Sequence, residues 1–110
     1  MNLDLYNELQ YKIKELSTSV NELATTGTKY AEAERDYKIA LRQECLKLRD
    51  EGMAIGMIDK TCYGIPRIAE ARFKRDVADT MYKVNLERIN SIKLEMRILE
   101  NQLQREYGKE

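Results

Sequence analysis

The first groups in this sequence that could do chemistry are carboxylates at helical spacing, Glu32 with Asp36 and Glu34 with Glu44. Paired acids can hold a metal, or divide acid and base work when their surroundings push their proton affinities apart. Helical metal sites, however, combine such acids with a Glu-x-x-His pair, and this chain contains no histidine. Where 35% of residues are charged, acids one turn apart are the ordinary covering of a solvated face. Cys45 and Cys62 stand apart rather than in a Cys-x-x-Cys pair, which further argues against zinc. A disulfide needs Cys62 to fold back on Cys45. In a reducing cytosol two reduced, partly buried thiols are the expectation. No glycine-rich phosphate loop appears, and no serine or cysteine has a base nearby. We expect no catalytic residue, no cofactor and no metal, and so no enzyme.

A binding role has more to stand on. The stretch from Gly52 to Arg75 reads as a short helix, a glycine turn and a second helix bearing Arg67, Arg72, Lys74 and Arg75, which resembles a helix-turn-helix. Its charge is nearly balanced, with eight basic against six acidic residues over 42–76. Lys60 stands where two crossing helices want a small residue, and Pro66 disturbs the turn, so support for nucleic acid is weak. Of the seven tyrosines, Tyr6, Tyr30, Tyr37 and Tyr82 fall on apolar stripes and read as packing residues. Tyr63, at the tip, joins the four cations as a candidate partner contact.

The elements that must carry these residues are helices. The chain has 110 residues, one proline, and 19 basic residues against 19 acidic ones, which suits one domain of long helices and removes the simplest case for a general binder of nucleic acid or anionic membrane. It has no run of about 18 apolar residues and no secretory signal. A cytoplasmic protein without a membrane span is expected.

Apolar residues recur in alternating steps of three and four at both ends. The N-terminal seam is Leu9, Ile13, Leu16, Val20 and Leu23. The C-terminal one is Ile89, Ile92, Met96, Leu99 and Leu103. The first helix starts at Asn2 or Asp4, either a suitable cap, and weakens at Thr25 to Thr28, where Gly27 predicts a kink or a break. The pattern resumes through Tyr30, Ala33, Tyr37, Leu41, Cys45 and Leu48 and stops at Gly52, placed as a left-handed C-terminal glycine. A short helix over 54–63 and a long one from Pro66 to about Tyr107 complete the reading. Continuing the last seam backward meets Asn85 and Arg75, polar groups that fix register, with Arg75 paired to Glu44 or Glu34; a ligand-binding role for the two is the alternative.

The predicted fold is all-α: a long antiparallel hairpin with arms 28–51 and 66–107, a tip over 52–65 and an N-terminal coiled-coil segment over 2–26, in a single domain 1–110. Folding back at the tip sets Leu48 near Ala69, Leu41 near Asp76 and Tyr30 near Leu86. A second stripe, Phe73, Val77, Met81 and Val84, implies that this part of the helix touches at least two others. Two helices make a thin core, so the seams predict a homo-oligomer, most simply a two-fold dimer forming a four-helix arrangement.

Three segments carry a resemblance: Tyr30-Ala31-Glu32-Ala33-Glu34-Arg35-Asp36-Tyr37-Lys38, Leu48-Arg49-Asp50-Glu51-Gly52-Met53, and Phe73-Lys74-Arg75-Asp76-Val77-Ala78. With the ending Leu99-Glu100-Asn101-Gln102-Leu103 and Arg105-Glu106-Tyr107, the chain over 29–107 resembles a group of small helical proteins encoded by phages and prophages of Gram-positive bacteria. The resemblance brings no activity or site residues. It implies a role in the host cell, either blocking a host defence or nuclease by binding it, or assisting replication and recombination on nucleic acid. The leading expectation is an oligomer that binds a host or phage protein. A nucleic-acid accessory role and capture of a nucleotide between protomers are the alternatives.

Overall fold

A computed structural model describes residues 3–108 as three helices, α1 (Leu3–Asp50), α2 (Ile55–Cys62) and α3 (Pro66–Tyr107), with no strand among them. No described helix is long and apolar enough to cross a membrane. Of the two cap candidates, Asn2 lies outside the described residues. Asp4 falls inside the first turn of α1, where its charge complements the helix dipole. The chain divides into two compact units, one made of residues 3–25 with 83–108, the other of residues 26–82.

In the second unit α1 and α3 run antiparallel and α2 closes the turn. α1 ends as Gly52 predicts. The Met53 N–H donates to the Leu48 carbonyl at 3.1 Å and the Gly52 N–H to that of Arg49 at 3.0 Å, with Gly52 at φ +89°. These two hydrogen bonds satisfy carbonyls that a helix end leaves without partners. Pro66 opens α3, where its missing N–H costs nothing. Gly27 does not break α1: helix continues through it, and a Cβ there would lie 3.4 Å from the Tyr82 ring. The core is Tyr37, Ala40 and Ile68, with Leu41, Ile65 and Ala71 packed against it.

The pairing of the arms differs from the sequence expectation. Tyr30 stacks on Tyr82, with ring centroids 6.1 Å apart, one turn before the residue expected opposite it. Arg67 meets Glu44 at 3.3 Å, and Arg75 meets Glu34 at 3.7 Å. α3 thus begins its pairing earlier along α1 than expected. In α2, Ile58 and Cys62 are buried, and the Cys62 thiol neighbours that of Cys45. Cys45 is half-buried and Cys62 almost fully buried, both as thiols. Loss of hydration, and then the neighbouring Cys62 thiol, push the Cys45 thiol up in pKa.

In the first unit α3 presents the expected seam, with Ile89, Ile92 and Leu99 buried and Met96 and Leu103 half-buried. α1 answers with Leu9, Leu16 and Leu23, all half-buried. Between those leucines, however, stand Lys12 and Ser19, while Ile13 and Val20 are exposed. The helix is turned by one position, and there the Ser19 carbonyl and Lys12 meet polar groups of α3. The buried Asn85 donates from Nδ2 to the Ser19 carbonyl at 3.0 Å. Lys12 lays its stem along the seam and carries its ammonium to Glu95 and to Glu15. Those hydrogen bonds, Glu95 first, raise the Lys12 pKa. Arg88 reaches Glu15 and Glu22 on the same flank. The Ser19 hydroxyl, fully buried, has no hydrogen-bond partner among the described residues.

Candidate functional site

The five candidate contact residues of the tip all lie in the second unit, and each is already in contact within the chain. The Arg72 guanidinium sits 5.6 Å from the centre of the exposed Tyr63 ring, a cation over an aromatic face. Arg67 donates to Gln43 Oε1 at 2.6 Å and to Glu44 Oε1 at 3.3 Å. Lys74 is exposed and 3.9 Å from Glu70. Arg75 is the most enclosed. It faces the Tyr37 ring at 4.4 Å, donates to Asp76 at 2.9 Å, and pairs with Glu34, one of the two partners that the sequence offers, Glu44 being taken by Arg67. The Asp76 hydrogen bond is the main reason its pKa is raised.

Two open grooves run along one side of the α1–α3 pair in this unit, and Lys29 and Lys74 border both. The first, about 470 Å³, has a floor of small residues, Ala33, Ala40 and Ala71. Its rim carries Lys29, Arg67 and Lys74 against Glu32, Asp36 and Glu70, so its charges cancel. The second, about 370 Å³, is lined by Phe73, Val77 and Met81 together with Thr26. Its only charged lining residues are the two lysines.

Phe73 is 64% exposed, and Val77 and Met81 are close to half exposed. An isolated exposed apolar side chain is ordinary, but three at helical spacing beside a groove form a patch that asks for a partner. The sequence picks out this stripe as needing more than one helix, and in the single chain it stays uncovered. Lys29 and Ala40 escape sequence reasoning, because what matters about them is the face that α1 turns toward α3.

Among the described residues no group of cysteines and acids is placed to hold a metal ion. The paired acids resolve into separate contacts: Glu34 with Lys38 at 3.3 Å and with Arg75, Glu44 with Arg67, and Asp36 with Arg35. No family model, no curated protein and no solved structure matches this chain.

Proposed function

We propose that the chain is a non-enzymatic, oligomeric binding protein that acts by holding another protein. The observation that carries this reading is the uncovered stripe Phe73, Val77 and Met81 over a groove whose charged residues are Lys29 and Lys74. An apolar trough of this size with a basic rim fits the apolar face of an amphipathic helix that bears acidic residues at its edges. The resemblance to small phage and prophage proteins makes a host defence or nuclease component, in the host cytoplasm, the proposed target. Extension of the second unit's antiparallel pairing into a continuous hairpin belongs to the same proposal.

The experiment is capture of host proteins by the purified, tagged chain at about 0.15 M and 0.5 M salt. It is run beside the Phe73→Asp/Met81→Asp variant and a gel-shift assay with single- and double-stranded DNA. The expected result is one protein retained at both salts and lost from the variant, with no DNA shift. Steeply salt-dependent DNA binding abolished by Arg72→Glu/Arg75→Glu would replace this reading with the nucleic-acid one.

A further inference from the structure

The turn of α1 in the first unit leaves a second heptad seam on its surface. Leu3, Tyr6, Ile13 and Val20 are all more than 40% exposed. Exposed Gln10, Ser17 and Ala24 fall between and after them, so the whole row follows alternating steps of three and four. It spans about 32 Å of helix. Not one position in it is charged, in a chain where 35% of residues are. A solvated helix face does not look like this; a helix–helix seam does.

We propose that this row is the homodimer seam, and that it pairs with the same row of a second copy in parallel and in register. The inference rests on the oligomeric reading above and names the surface that serves it. The occupant is identified by the two polar positions. In a parallel, in-register pair each seam residue faces its own copy. Gln10 then meets the partner copy's amide and Ser17 the partner copy's hydroxyl. An amide and a hydroxyl each both donate and accept, so each can satisfy an identical group. An antiparallel pair sets the Gln10 and Ser17 layer against the Tyr6, Ile13 and Val20 layer, and buries polar groups against apolar ones. The flanks agree. On one side lie Leu9, Leu16 and Leu23, still half-exposed, and on the other Asn7, Lys14 and Asn21. Parallel pairing crosses these two flanks, so that Lys14 is set opposite a leucine flank and not opposite a second lysine.

The test uses the full chain, with the dimer dissociation constant read by light scattering and sedimentation and helicity followed by circular dichroism. Ile13→Asp should weaken the dimer by about tenfold or more with helicity unchanged, since Ile13 is exposed within one chain. Gln10→Glu and Gln10→Lys should each weaken it alone, and an equimolar mixture of the two should restore a heterodimer of at least the original affinity. A wild-type dimer indifferent to Ile13→Asp overturns this seam while leaving oligomerisation standing. Failure of the mixture to recover overturns the parallel register. A monomer at every concentration overturns both the seam and the oligomeric part of the proposed function, while the groove is still judged separately by protein capture.

Discussion

Three polar residues set the geometry of the first unit, and their chemistry decides which of two overlapping apolar rows is buried. Leu9, Leu16 and Leu23 are common to both rows, so spacing alone favours the one completed by the more apolar Ile13 and Val20. The chain instead buries Ser19 beside Asn85 and half-buries Lys12. Hydrophobicity could not reveal this, because the deciding partners, Asn85 and Glu95, come from the other helix. The cost of the arrangement is concentrated in the Ser19 hydroxyl, which is buried without a hydrogen bond. Ser19→Ala removes that group and leaves the carbonyl that Asn85 uses. We expect the variant to be stabilised by about 1 kcal/mol in urea titrations, the usual scale for relieving an unsatisfied buried donor or acceptor; a destabilised variant would show that the hydroxyl has a partner after all.

Helix ends were read from local chemistry because they are made by local chemistry. Gly52 stops α1 through its own positive φ, Pro66 opens α3, and the short helix between them lies within one residue of its expected bounds at each end. Gly52→Ala should therefore cost about 1 kcal/mol, since a side chain at this φ is strained even with open space around it. Gly56→Ala, in α2 and equally uncrowded, should be neutral or stabilising. Urea midpoints of the pair would separate a conformational cost from a packing one. The alignment of the long helices was less accessible, because it depends on contacts between the two arms. The stacking of Tyr30 on Tyr82 records it, and no pattern within either arm encodes it. The same holds for the grooves. The sequence shows that Phe73, Val77 and Met81 are surplus to one seam, but Lys29 joins them only once α1 is rotated into place.

At the scale of the whole molecule, each of the two units is held together internally by different means. The second closes over a small apolar core in which Ile68 is completely buried, while the first alternates leucines with a polar layer. Ile68→Ala should cost about 2–5 kcal/mol, as core truncations of this size do. Amide hydrogen exchange should place most of the loss within residues 26–82; an equal loss over 3–25 and 83–108 would mean that the units unfold as one. Both cysteines of the chain belong to the second unit, Cys62 almost fully buried at the end of α2 and Cys45 half-buried with its thiol pushed up in pKa. The protein thus carries its own clock. The rate at which an alkylating reagent consumes the buried Cys62 thiol reports the opening of that one unit, and the other half of the chain stays chemically silent.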